Sequence, residues 1–237
     1  EKSREKLSAG PALFLNADCE RESTMAKETP EKRADAVTTG ESFRTAWIDF
    51  SQGIGVGNLQ PHERITQILK HYLQQCYGTR FITDKWGRGA YWKWICWLPR
   101  ANREAKTVSS NVNFGCAKLF IMVDQSQRVF KSGLQVERGY ARAPEGGSRW
   151  VVQPDWDWHR LKQNCSSGAV LGSEICRLVR DEGFVAEVIA QKHGRTFTGE
   201  NLQTADQVRE AIDACSPQEW CGFQLYTPLT PDALNAM

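Results

Sequence analysis

The sequence predicts an α+β fold, with a mostly antiparallel central sheet of about five to six strands flanked by helices and a disordered N-terminal tail. Three observations carry that prediction. Strand-like segments follow one another through the middle of the chain, from about residue 80 to residue 139, rather than alternating with helices as in a doubly wound sheet. Segments with apolar residues at i, i+3, i+4 and i+7 stand on either side of that block. Residues 1–40 are rich in Glu, Lys, Arg, Ser and Thr, poor in large apolar side chains and without period, so they cannot bury enough surface to offset the entropy of ordering.

In chain order, Thr45–Phe50 reads as a short strand and Gly53–Gly57 as a glycine-rich turn. A helix follows from about Pro61, a residue suited to a first helical turn, to Cys76. Its apolar face is Ile65, Ile68, Leu69, Tyr72, Leu73 and Cys76, and Gly78 ends it. Arg80–Thr83 is a short strand, and Ala90–Leu98 has strand composition up to Pro99. After a polar connection over Arg100–Asn113, the segments Ala117–Asp124 and Arg128–Gly139 form two strands joined by a tight turn at Gln125–Gln127. Phe130, Leu134 and Val136 against Lys131 and Gln135 give the partial alternation of a sheet with one covered face. Gly146 and Gly147 mark another turn. Asp155–Asn164 is a short helix, Ser173 caps a helix running to Asp181, and Phe184–Ala190 is a strand. Thr204 and Gln207 match a capping box opening a helix to Cys215, and Ser216 with Glu219 repeats the box before a strand at Phe223–Tyr226.

The domain is expected to occupy residues 41–237, behind the tail. Met25 stands inside that tail, which makes residues 1–24 candidates for upstream read-through. A hydrophobic content of 41% is enough for a real core, and no stretch approaches the roughly 18 apolar residues of a membrane span. The apolar Pro11–Leu15 piece is too short for a secretory leader. The eight cysteines are scattered with no CxxC pair, and Cys76, Cys176 and Cys215 fall on apolar helix faces, where a thiol acts as a small hydrophobe. These features predict a soluble, cytoplasmic protein in a reducing compartment, with no membrane partner.

Charge is unevenly placed. Residues 80–162 carry fifteen Lys/Arg against seven Asp/Glu, whereas residues 163–237 carry five against ten and residues 1–79 ten against eleven. The basic middle fits a polyanion partner, and it fits equally a domain whose parts attract each other.

Four constellations bear on chemistry. Gly53, Gly55 and Gly57 precede a helix, as in a phosphate-binding loop, but the spacing departs from the dinucleotide fingerprint and favours a turn. Asp155, Asp157 and His159 could hold a divalent metal through mixed carboxylate and imidazole ligands; the alternative is that acidic residues complement a helix N-terminus while Trp156 and Trp158 anchor it. Asp124 and Glu137 lie at strand ends without the E-x-K element of a restriction-type nuclease, so hairpin-end charge is the plainer account. Finally, Trp86, Tyr91, Trp92, Trp94 and Trp97 are interleaved with Lys85, Arg88 and Lys93. In a regular strand Trp92 and Trp94 face one way and could stack on bases or sugar rings, while lysine and arginine meet phosphates; alternatively the rings are core.

The leading expectation is a binding domain that engages nucleic acid through a basic, aromatic sheet surface comprising Trp92, Trp94, Lys93, Arg88 and Lys85. The alternatives are a metal-dependent hydrolase or nuclease using Asp155, Asp157 and His159, and a protein–protein adaptor. No motif names a cofactor.

Overall fold

The computed structural model describes residues 44–57, 64–106, 115–138, 140–142, 150–152, 156–190, 192–216 and 220–236. The expected N-terminal tail, the Pro61 helix start, the Gly146–Gly147 turn, Asp155 and most of the second capping box lie outside the described residues.

Among the described residues nine strands make one antiparallel sheet, larger than the five or six expected. They are β1 (Ile48–Asp49), β2 (Gly53–Gly55), β3 (Phe81–Arg88), β4 (Tyr91–Pro99), β5 (Lys118–Asp124), β6 (Val129–Glu137), β9 (Val185–Ala190), β10 (Arg195–Phe197) and β11 (Cys221–Leu229). A separate pair joins β7 (Tyr140–Arg142) to β8 (Trp150–Val152). Across the sheet the order is β1-β2-β4-β5-β6-β11-β9-β10, with β3 on the other edge of β4. The helices are α1 (Ile65–Tyr77), α2 (Arg100–Glu104), α3 (Asp157–Asn164), α4 (Val170–Asp181), α5 (Ala205–Asp213) and α6 (Pro231–Asn235). Among the described residues no helix is long and apolar enough to cross a membrane.

Local chemistry sets the helix ends. α1 stops where Gly78 takes the left-handed conformation, as expected, and its N–H donates to Gln74 O. The Thr204 capping box forms with both bonds in place. α4 begins one turn before Ser173, at Val170, so Ser173 sits inside the helix rather than at its cap. Thr45–Trp47 is a 3-10 turn and only Ile48–Asp49 is strand.

The two sheet faces differ in kind. One is apolar and carries the helices. Ile95, Trp97, Ile121, Val123 and Phe130 pack with Ile65, Ile68 and Leu73 of α1 and Leu234 of α6. Farther along, Val136, Ala186, Val188, Phe223 and Leu225 pack with Trp158 and Leu161 of α3, Ile175 and Val179 of α4, and Val208 and Ile212 of α5. The Trp97 indole N–H donates to Thr66 O and ties β4 to α1.

The opposite face holds a smaller cluster, Cys96, Leu98, Cys116, Phe120 and Tyr226, to which no described helix contributes. Its floor is polar yet buried: Lys118, Lys131, Gln135, Glu137 and Gln224 are all at most 6% exposed. The alternation in β6 therefore does not mark a solvated face. Lys131 and Gln135 are covered because ion pairs and hydrogen bonds satisfy them there.

This face is concave. Trp94 on β4 donates from Nε1 to Gln135 Oε1 on β6 at 3.0 Å, across the whole width of β5. Lys131 on β6 likewise reaches Glu187 on β9 at 3.6 Å across β11. Neighbouring strands lie about 4.8 Å apart, so side chains bridge a strand in this way where a sheet curls toward them. Gly133 allows the curl: a Cβ there would stand 2.0 Å from Leu225 O and 2.6 Å from Tyr226 Cα.

Candidate functional site

The β3–β4 hairpin projects from the sheet, with every residue from Lys85 to Ala90 exposed. Gly87 and Gly89 have φ of 149° and 66°, conformations open to glycine, and they let the chain reverse at the tip. The glycines expected to form a turn or a phosphate loop serve this hairpin instead. Gly53 and Gly55 belong to β2, which pairs with Tyr91 and Trp92. A Cβ at Gly53 would lie 2.7 Å from Trp92 O, and one at Gly57 would lie 2.5 Å from Ala90 Cβ.

Pairing along the hairpin is offset by one residue. Trp86 faces Trp94 but Gly87 faces Trp92, so Lys93 is an extra residue, a β-bulge, in β4. A one-residue offset inverts the alternation beyond it. Trp92 and Trp94, expected on one side, consequently lie on opposite faces: Trp92 packs toward the helix-bearing core and Trp94 toward the concave face.

The five residues singled out in the sequence divide accordingly. Lys85 goes with Trp92, its Nζ 3.5 Å from the ring centroid. Lys93 and Trp94 go with Trp86, whose ring lies 5.7 Å below Lys93 Nζ; by register Arg88 and Tyr91 share that side. Trp86 is 66% exposed, the most exposed tryptophan among the described residues. The hairpin's concave side thus presents a solvent-facing indole bordered by Lys93 and Arg88, and it leads directly to half-buried Trp94.

Past Trp94 lies the buried floor. Lys118 pairs with Glu137, both buried, and its Nζ also lies 5.7 Å from the Trp94 ring centroid. Lys131 sits between Asp124 at 3.2 Å and Glu187 at 3.6 Å. The Tyr226 hydroxyl donates to Glu187 at 3.1 Å; burial first, and then that carboxylate, push its ionisation well above the ordinary phenol range. Burial likewise pushes the Cys96 thiol up to about 12, so it is a neutral wall of the floor and no nucleophile near neutral pH. Two lysines against three carboxylates make this floor unsuited to phosphate, unlike the hairpin.

Sequence reasoning placed Asp124 and Glu137 at hairpin ends as ordinary charge. The structure makes Asp124 a partner of Lys131 and buries Glu137 against Lys118 on the neighbouring strand. The signal available was positional: Lys118, Lys131, Gln135 and Glu137 occupy one face of two adjacent strands.

Of the metal candidates, Asp155 lies outside the described residues. Asp157 opens α3, buried, with both carboxylate oxygens engaged. Oδ2 accepts from Ala117 N at 2.6 Å and Asn102 Nδ2 at 2.7 Å, while Oδ1 faces Lys106 at 3.4 Å and Arg160 at 3.3 Å. These bonds fasten the start of α3 to α2 and to the entrance of β5. His159 is two residues on, about 200° around the helix, so it does not converge with Asp157. Trp156 and Trp158 are fully buried, as anchors of α3. Among the described residues no three His, Cys, Asp or Glu side chains are grouped as a metal site.

A groove of about 400 Å³ opens between α4 and the start of α5, lined by Ser167, Cys176, Arg177 and Arg180 among others. Its arginines are already engaged: Arg177 with Glu174 and Glu182, Arg180 with the carbonyls of Leu202 and Gln203.

The chain matches no protein-family model, no curated protein and no solved structure.

Proposed function

We propose that this protein binds single-stranded nucleic acid along the concave side of the β3–β4 hairpin. The observation that carries the reading is Trp86: a large ring, two-thirds exposed on a projecting hairpin, with a lysine beside it. An indole left in water is costly to leave uncovered, and a base stacks on it whatever its sequence. Lys93 and Arg88, both exposed and on the same side, are placed for the phosphates that flank a stacked base. The interface is narrower than the basic middle section suggested, and Trp92 and Lys85 fall outside it.

Fluorescence anisotropy with a labelled oligonucleotide at about 50 and 200 mM salt tests the reading. The expected result is affinity that falls with salt, and a drop of about 5- to 150-fold in Trp86→Ala, the worth of one stacked base. Replacing Arg88 and Lys93 by alanine is expected to flatten the salt dependence by about 0.7 per phosphate contact. Absence of binding at low salt, or a Trp86→Ala variant that binds like the parent, would overturn it.

A further inference from the structure

We infer that the buried floor beyond Trp94 is a base-reading pocket, in which Gln135 and Gln224 together recognise the hydrogen-bonding edge of one nucleobase turned out of the bound strand. This rests on the proposed strand interface and names the part of the ligand that enters the fold.

The orientation of both amides follows from a chain of hydrogen bonds that starts at an unambiguous group. An indole N–H can only donate, so Gln135 must offer its oxygen to Trp94 Nε1. That same oxygen accepts from Gln224 Nε2 at 2.9 Å, which fixes the Gln224 amide as well. What remains is one donor, Gln135 Nε2, and one acceptor, Gln224 Oε1, with no hydrogen bond to either from a described residue. The two residues are directly opposed on adjacent strands, β6 and β11, and are 6% and 5% exposed. Both atoms keep contact with solvent, unlike the wholly buried and unpartnered Thr83 Oγ1, so a ligand supplying the complement can reach them.

That complement is an acceptor beside a donor on one planar edge, the pattern that nucleobases present and that glutamine reads in adenine. The surroundings suit a base and not a phosphate. The floor bears Glu137, Glu187 and Asp124 against Lys118 and Lys131, whereas Arg88 and Lys93, which have no carboxylate partner among the described residues, lie out on the hairpin. The route is continuous, since Trp86 pairs with Trp94 and Trp94 bonds Gln135. A strand stacked on Trp86 therefore has its next base at the mouth of the pocket, and a base taken out of its stack is read in this way, by edge hydrogen bonds beside an aromatic ring.

Trp94 is then a positioning residue: its N–H holds the Gln135 amide in the reading orientation. Binding of the four homo-oligonucleotides to parent protein, Trp94→Phe and Gln224→Glu is the test. The parent is expected to prefer one base by about 5- to 150-fold. Trp94→Phe, which keeps an aromatic ring and removes the N–H, is expected to level the preference while leaving the salt dependence as it was; a residue that only supported the fold would not separate the two. Gln224→Glu is expected to do the same, and if that variant fails to fold, Trp94→Phe still decides. Equal affinity for all four oligonucleotides in the parent, or a preference that survives in Trp94→Phe, overturns the pocket and leaves the strand interface standing. A free nucleoside that shifts the Gln135 and Gln224 side-chain amide resonances, where ribose 5-phosphate does not, supports the pocket even if no oligonucleotide binds; in that case the strand interface alone is lost.

Discussion

The hairpin and the floor behind it use the same residue types to opposite ends. On the hairpin, Lys93 and Arg88 have water around them and an aromatic ring beside them, and Trp86 is open. On the floor, Lys118 and Lys131 are enclosed, each held by carboxylates, and Trp94 donates its hydrogen bond inward. Cations in water cost little to keep and contribute little to stability, which leaves them free for a ligand. Cations out of water are tolerable only while their partners stay. The two regions therefore differ in what the loss of a cation or its partner reaches: binding on the hairpin, folding on the floor.

The sharpest way to break this contrast is to remove one half of the buried pair. Glu137→Ala leaves Lys118 buried without its carboxylate, and urea unfolding is expected to show a loss of about 3–5 kcal/mol. Replacing both residues by apolar ones, Lys118→Met with Glu137→Leu, is expected to recover most of that loss, since the penalty belongs to the orphaned charge. Lys93→Ala on the hairpin is expected to stay within about 0.5 kcal/mol of the parent. A Glu137→Ala variant as stable as Lys93→Ala would show that the floor is wet and would remove the distinction.

The curl that encloses the floor is the next point of attack. Gly133→Ala sets a methyl group against the backbone of Leu225 and Tyr226, and rigid strands cannot give way as a side chain would. A loss of about 3 kcal/mol is expected, with a change in near-ultraviolet circular dichroism as Trp94 loses its fixed setting. Gly89→Ala at the hairpin tip meets no atom within 4 Å, so its cost is only that of a left-handed φ of 66°, about 1 kcal/mol.

These contrasts also mark what could be read from the chain alone. The α+β class and the strands β4, β5, β6 and β9 were legible because period and composition are local properties. So was the Thr204 capping box, both of whose bonds lie within four residues. The basic and aromatic content of the hairpin was legible for the same reason. The facing of its tryptophans was not: a bulge at Lys93 is set by pairing between two strands, and a regular alternation gives no warning of it. The Lys118–Glu137 pair joins residues nineteen positions apart, and its burial depends on the curl at Gly133. β10 and α6, of three and five residues, are too short to show a period, and tertiary packing of Phe197 and Leu234 holds them.

The smallest expected effect separates the regions by pH. The floor has Asp124 at its margin. Burial alone would raise its pKa; the Ser126 hydroxyl, the Gln127 N–H and Lys131 outweigh that and hold the carboxyl below its ordinary value of 3.8. A carboxylate whose folded pKa is depressed adds stability that is complete above the unfolded value and is lost as the pH falls through the folded one. Stability contributed by Asp124 is therefore expected to be full at neutral pH and to decline below about pH 4. Asp124→Asn should lower stability slightly at neutral pH and flatten the acid limb of the profile. The Trp94 environment should respond to acid in the parent more than in the variant, while Trp86, on the hairpin, should keep the same quenching by iodide throughout. An acid limb unchanged in Asp124→Asn would move the responsible carboxylate elsewhere on the floor or off it.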